Sequence, residues 1–266
     1  MKTIWLIAGG TFGEAIRRRT LLIFVLVAAV LLVLGATTAS FQPGRETDLI
    51  KTIGLGVIGL TGVFISVILG INLLPQEIER RTVYTILSKP VHRYQFVLGK
   101  FLGGLMTVLS SVAIMAAVFL LLFVIKERGF DKAVRDVCQG LLLVACQIII
   151  INAVAVFFSA FLSPFVNFFL TFGVYLLGIS RSATEALADP SSDPSHPKNI
   201  LVVYVFKFIN AVIPDFTKYN VQNPILTPNV HITNQVFFTT AATLEALVYS
   251  AILLLLAVLI FNRREV

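Results

Sequence analysis

The residues best placed to do chemistry in this chain lie in one short segment, residues 76–104, whose sequence is QEIERRTVYTILSKPVHRYQFVLGKFLGG. Two carboxylates, Glu77 and Glu79, lie near the start of the segment. The largest basic cluster of the chain follows them: Arg80, Arg81, Lys89, Arg93 and Lys100. Clustered charges of both signs bind a protein or membrane surface through electrostatic complementarity. Long apolar runs precede and follow the segment, so it predicts a loop that a membrane protein presents to a partner in solution.

Enzymatic chemistry has little support in the sequence. The phosphate-binding pattern G-x-x-x-x-G-K-[ST] does not occur, because Gly99-Lys100 is followed by a phenylalanine. The three histidines, His92, His196 and His231, lack the spacing of a zinc site, and no G-x-S-x-G motif is present. We therefore predict a chain that is not an enzyme and that holds no metal or cofactor of its own.

Polar side chains inside apolar runs are the other functional candidates, because they are costly in lipid. Glu245, Gln147 and Asn152 are possible residues of a transport pathway, and Asn72 lies at the end of an apolar run. The alternative is that each bonds to a neighbouring helix and stabilises the packing. The sequence leaves both interpretations open.

The elements that position these residues are predicted to be membrane spans. Hydrophobic residues make up 57% of the chain and charged residues only 13%, and the mean hydropathy is +0.91. Three gaps between successive charges are long enough for one span each, and the gap from Asp136 to Arg181 is long enough for two. We predict an all-α polytopic protein of one domain, residues 1–266, with six transmembrane helices at residues 20–41, 52–75, 98–125, 137–162, 165–180 and 236–261.

Residues 1–19 predict a helix that lies on the membrane surface, because Trp5, Ala8, Phe12, Ala15 and Ile16 recur at helical spacing. The alternative is a simple extension of the first span. That span resembles a signal peptide, since three arginines precede a short apolar core, but the basic residues start late and we expect an uncleaved helix.

Basic residues predict the orientation. With the N-terminus inside, eleven lysines and arginines lie on the inner side and six in the short outer loops. Both termini are then cytoplasmic, and the protein is a multi-pass protein of the cytoplasmic (inner) membrane. The net charge of +7 suits anionic membrane lipid, so a nucleic-acid partner is not needed.

Small residues at every fourth position predict close helix packing, either within the chain or between copies. One stripe contains Gly62, Ser66 and Gly70, and a second contains Gly99, Gly103, Thr107 and Ser111. Cys138 and Cys146 lie about 12 Å apart along one predicted helix, too far for a disulfide, and are predicted to be packing residues.

Residues 181–235 form the largest predicted segment outside the membrane, on the outer side. Its first part, RSATEALADPSSDPSHPK, is typical of a flexible exposed loop. The following apolar stretch, Asn199 to Ile213, predicts a re-entrant or surface helix, with a short strand or hairpin as the alternative.

Residues 76–97 predict a short amphipathic helix followed by a turn. Pro75 suits a first helical turn, Glu77 and Glu79 suit the positive helix N-terminus, and Lys89-Pro90 should end the helix. Glu79 lies on the apolar side of this helix, so its carboxylate needs a basic partner.

The run E-x-E-R-R-T-x-x-x-x-L-S-K-P-x-x-R-x-x-F-x-L-G-K resembles the cytoplasmic loop of permeases of type-2 ABC exporters, including the permease that accompanies copper-site maturation of nitrous oxide reductase. The resemblance implies that the loop is a coupling helix on which a separate ABC ATPase subunit docks. It also implies docking roles for Glu77, Glu79, Arg80, Arg81 and Thr82, with Lys89, Pro90 and Arg93 at the turn and inner boundary.

This resemblance implies an ATP-driven permease, exporting its substrate, that works with a second permease copy or a paralogue. ATP and Mg would bind to the partner subunit. Two alternatives stay open: an ion-coupled secondary transporter or channel that uses Glu245, and a membrane scaffold that transports nothing. For the loop itself, the alternative to docking is that its basic residues only anchor it to anionic lipid headgroups.

Overall fold

The computed structural model describes residues 2–17, 19–39, 41, 46–73, 92–127, 132–189, 200–220 and 235–263. All of the regular elements in these ranges are helical. They are α1 (Lys2–Ile16), α2 (Arg19–Ala39), α3 (Glu46–Asn72), α4 (Arg93–Glu127), α5 (Lys132–Ser159), α6 (Pro164–Ile179), α7 (Arg181–Ala188), α8 (Ile200–Val212), a 3₁₀ turn (Phe216–Tyr219) and α9 (Gln235–Arg263).

Among the described helices, α2, α3, α4, α5 and α9 are long and apolar enough to cross a membrane. A sixth span exists if α6 and α7 together form one, but they meet at a bend of 78°. At 16 residues, α6 is about 24 Å long, which is less than the ~30 Å hydrocarbon core. The described part of the chain is therefore all-helical, with five or six candidate membrane spans.

The bundle has two ends. The loop end contains the end of α3 and the start of α4, which flank the predicted docking loop, and the opposite end contains the start of α3 and the end of α4.

Both α4 and α5 begin five residues before the predicted spans, at Arg93 and Lys132, because a helix continues beyond its apolar stretch.

Helices α3 and α5 form the centre of the bundle. In their most apolar windows, α3 is 61% buried and α5 is 72% buried, against 22% for α2 and α9. Glycines allow the close approach: a methyl group at Gly62 would clash with Cδ1 of Ile148, and one at Gly70 would clash with Cβ of Ala155. The first stripe of small residues thus packs within this chain.

The second stripe packs α4 against the N-terminal helix α1. A methyl group at Gly103 would lie 2.6 Å from the Ala8 carbonyl oxygen and 2.6 Å from Cβ of Thr11. The buried face of α1 consists of Ala8, Thr11 and Ala15. Trp5 and Ile16, which the sequence placed on the same stripe as Ala8 and Ala15, are exposed, because that stripe is wider than the surface α4 covers.

The prediction of a flexible loop after residue 180 is wrong for the first part of that segment, because Arg181–Ala188 forms the helix α7. Arg181 stabilises it by an ion pair of 2.7 Å with Glu185, one turn later. The Arg181 guanidinium also donates to the carbonyl oxygen of Asn210 near the end of α8, at 2.7 Å. The helix predicted between Asn199 and Ile213 is confirmed as α8.

Candidate docking loop and polar sites

Most of the predicted docking residues lie outside the described part of the chain. They are Glu77, Glu79, Arg80, Arg81, Thr82, Lys89 and Pro90. The structure does describe the two flanks of the loop, which end at Leu73 and begin again at His92. The contacts of these flanks determine which helices would move together with the loop.

The first flank ends in a tightened turn. The Asn72 side-chain amide donates to the carbonyl oxygen of Ile68 at 2.9 Å, and the Leu73 backbone N–H donates to that of Gly70 at 3.4 Å. Asn72 thus bonds within its own helix. Leu73 packs on the second flank, where a methyl group at Gly104 would lie 2.9 Å from its Cδ1 atom. The two flanks of the loop are therefore in direct contact.

The second flank begins with a side-chain cap. The His92 backbone N–H donates to the Gln95 side-chain oxygen at 3.4 Å, which satisfies a donor at the start of α4. The His92 ring stacks on Tyr94, with centroids 5.6 Å apart. Both flanks join one apolar cluster that includes Leu73, Phe96, Ala153 and Phe261.

Arg93, which the resemblance places at the inner boundary of the loop, contacts the last helix. Its Nη1 atom donates to the carbonyl oxygens of Phe261 and Asn262, each at 3.4 Å. These carbonyls lie in the last turn of α9, where a helix has no donors of its own. Arg93 therefore caps the C-terminal end of α9, a contact between residues too far apart in sequence for local spacing to reveal.

Lys100 differs from the expectation for the basic cluster, because it is buried, at 7% exposure. Its ammonium group lies 5.9 Å from the centre of the Phe96 ring, within the range of a cation–π contact. A lysine can bury its aliphatic stem along apolar surface, so its place in a basic cluster does not make it available to a partner.

At the opposite end, Glu245 forms an ion pair with Lys218 of the 3₁₀ turn. The Lys218 ammonium lies 3.1 Å and 3.3 Å from the two carboxylate oxygens. Both side chains are partly exposed, at 38% for Lys218 and 46% for Glu245. The pair lines a polar cavity of about 420 Å³, together with Arg181, Asp215 and Tyr249 among others.

Two hydroxyl groups also join this region to α9. The Tyr219 hydroxyl donates to the carbonyl oxygen of Ala242 at 2.8 Å, and the Tyr249 hydroxyl donates to that of Val212 at 2.9 Å. Burial raises the pKa of Tyr219, and the nearby carboxylate of Glu245 raises it further. Tyr219 thus stays protonated and keeps its hydrogen bond far above neutral pH.

The other two candidate pathway residues, Gln147 and Asn152, are fully buried in α5. The Gln147 amide lies near the Tyr175 hydroxyl of α6 without a hydrogen bond of good geometry. The Asn152 amide lies beside Gly104 and has no hydrogen-bond partner among the described residues. Neither residue hydrogen-bonds to Glu245, whose carboxylate pairs with Lys218. A polar contact between α5 and α9 joins Cys146 to Thr243, with sulfur and oxygen 3.7 Å apart.

A buried polar residue outside the candidates named from the sequence is Asn167 of α6. Its amide donates to the carbonyl oxygen of Ala155 at 2.9 Å and its oxygen accepts from the Thr171 hydroxyl at 2.8 Å. The sequence signal that could have identified this pair is the i, i+4 spacing of an asparagine and a threonine in an apolar helix. Cys138 is exposed rather than packed, whereas Cys146 is buried, and both are free thiols.

In the described residues, no group of three or more His, Cys, Asp or Glu side chains is arranged to hold a metal ion.

A family model described as "ABC-2 family transporter protein" matches residues 5–266. No curated protein matches the chain. Because the family model covers nearly the whole sequence, the chain belongs to the ABC-2 family of transporter proteins.

Proposed function

We propose that this chain is the permease subunit of an ATP-driven exporter and that a separate ABC ATPase docks on residues 76–97. The observation that carries the proposal is the family match over residues 5–266. The loop supports it, because the loop concentrates charge and joins two helices, α3 and α4, whose flanks pack together. The ATPase would bind ATP and Mg, and this chain would convert its closure into helix movement.

In this proposal the docking contacts come from Glu77, Glu79, Arg80, Arg81 and Thr82, while Lys89, Pro90 and Arg93 set the inner boundary. The loop end is then cytoplasmic, both termini lie on that side, and the opposite end faces outward. A second permease copy or a paralogue completes the transporter, and α8 lies at the outer surface or enters the membrane from it.

The test is co-purification of an ABC ATPase with the tagged chain from native membranes. Glu79→Ala and Arg81→Glu should each reduce the recovered ATPase by about tenfold or more, as expected for central interface residues. Lys207→Glu is the matched control, because it reverses an exposed charge on α8 and should leave recovery unchanged. Equal amounts of each variant in the membrane fraction would exclude a folding defect.

Two results would contradict the proposal. If the wild-type chain recovers no ABC ATPase and only another envelope protein, the scaffold function replaces it. If Glu79→Ala and Arg81→Glu both retain the ATPase, the docking assignment is wrong. The ion-coupled alternative needs Glu245 as a titrating carboxylate within the membrane, and its pairing with the partly exposed Lys218 favours a structural role instead.

A further inference from the structure

The start of α4 and the end of α9 form a contact with two components on one face of α4. Arg93 donates to two carbonyl oxygens of the last turn of α9. Phe96 stacks on Phe261, with ring centroids 6.0 Å apart and planes at 24°. Within α4, the Lys100 ammonium group lies 5.9 Å from the centre of the same Phe96 ring.

The positions 93, 96 and 100 follow the i, i+3, i+7 spacing of one helix face. Phe96 and Phe261 are each only 1% exposed, so the rings are enclosed by protein. A positive guanidinium at a helix C-terminus is also favoured by the helix dipole. The contact is thus both packed and electrostatically directed, and α4 cannot shift at this end without displacing α9.

Helix α9 is also attached at a second place, nearer the opposite end. Glu245 pairs with Lys218, and Tyr219 donates to the carbonyl oxygen of Ala242. One continuous helix of 29 residues therefore contacts the first turn after the docking loop and, further along, the segment that follows α8.

We propose that α9 transmits movement of the docking loop to the segment containing α8 and the 3₁₀ turn, and that Arg93 is the positioning residue that joins α9 to the loop. This inference rests on the proposed function, since an ATPase must first move the loop. Arg93 then acts in transmission rather than in docking, so its loss should separate ATPase binding from the response at the opposite end.

The experiment uses the full chain with its co-purified ATPase in lipid vesicles. Cys138→Ser and Cys146→Ala remove the native thiols, and Lys207→Cys places one reporter thiol on the exposed surface of α8. The rate of labelling by a membrane-impermeant maleimide is measured without nucleotide and after trapping with ATP and orthovanadate. In this parent we expect the rate to change by about fivefold or more, the lower range of allosteric coupling.

Arg93→Met should retain the ATPase and its hydrolysis but lose the nucleotide-dependent change in labelling. Arg17→Met is the matched control, because Arg17 is an exposed arginine at the end of α1 and should leave the change intact. Phe261→Leu keeps an apolar side chain but removes the ring stack, so it should weaken the response. It serves as the second test of the contact in case Arg93→Met does not reach the membrane.

Each result decides a different point. A normal labelling response in both Arg93→Met and Phe261→Leu overturns the transmission role. Loss of the ATPase from Arg93→Met also overturns it, because Arg93 would then be a docking residue. Absence of an ATPase from the parent itself refutes the proposed function and the inference that rests on it.

Discussion

The two ends of the bundle differ in their polar contacts. At the loop end, Leu73 packs against Gly104, Phe96 stacks on Phe261, and Arg93 donates to backbone carbonyls. The opposite end also has buried apolar contacts, around Phe216 and Tyr219, but it carries in addition ion pairs between partly exposed side chains. These are Glu46 with Lys126 at 3.5 Å, Lys218 with Glu245 at 3.1 Å, and Arg181 with Glu185 at 2.7 Å.

This difference has a mechanical meaning. Close packing acts over short distances and resists small displacements, because the interior has few voids. Exposed ion pairs contribute little free energy and can exchange partners at low cost. The packed contacts of the loop end therefore resist small displacements, whereas the ion pairs of the opposite end can exchange partners during the proposed transport cycle.

The largest expected effect tests the packed end. Phe96→Ala should lower the free energy of unfolding by about 3 kcal/mol, because it removes a buried ring and leaves a cavity beside Phe261. Phe237→Ala is the matched control at the start of α9, where the ring is 71% exposed and its loss should have little effect. Thermal unfolding in detergent measures both, and equal losses would show that the loop end is not specially packed.

A smaller effect tests the packing of α1 on α4. Gly103→Ala should destabilise the fold by about 2 kcal/mol, because its methyl group would lie 2.6 Å from a backbone carbonyl that cannot move aside alone. Gly173→Ala is the control, since a methyl group there meets nothing within 4 Å and alanine favours the helix.

Limited proteolysis of the N-terminal residues provides a second measurement for Gly103→Ala. If α1 separates from α4, cleavage within residues 2–16 should become faster than in the wild-type chain. Unchanged cleavage and an unchanged unfolding temperature would mean that α1 contributes little to the loop end.

The sequence predicts the helices well, because a charge in lipid is so costly that gaps between charges mark the apolar helices. It also predicts that Gly62, Gly70, Gly99 and Gly103 allow close approach. Spacing alone does not identify which helix approaches, and only the three-dimensional structure shows α5 beside the first pair and α1 beside the second.

Tertiary contacts explain what the sequence does not predict. Lys100 belongs to the basic cluster by spacing, but the Phe96 ring and the surrounding helices enclose it. The helix of Arg181–Ala188 has the composition of a loop and depends on a bond from Arg181 to Asn210 of α8. Arg93 caps a helix that begins more than a hundred residues later, so no local pattern indicates that role.

The smallest expected effect tests the opposite end. Counting 18 residues back from Arg263, Glu245 lies about 27 Å along α9, close to the ~30 Å thickness of the hydrocarbon core. Its ion pair with Lys218 is thus placed near the membrane surface, where water and salt have access. A double-mutant cycle of Lys218→Met and Glu245→Gln should give a coupling free energy below about 1 kcal/mol.

Salt provides the decisive measurement for this pair. Raising the ionic strength from about 0.1 M to 1 M shortens the Debye length from about 10 Å to 3 Å, so most of the coupling should disappear. A large coupling that does not change with salt would mean that lipid encloses the pair. The opposite end would then be held as firmly as the loop end, and Glu245 would regain its place as a candidate carboxylate of the transport pathway.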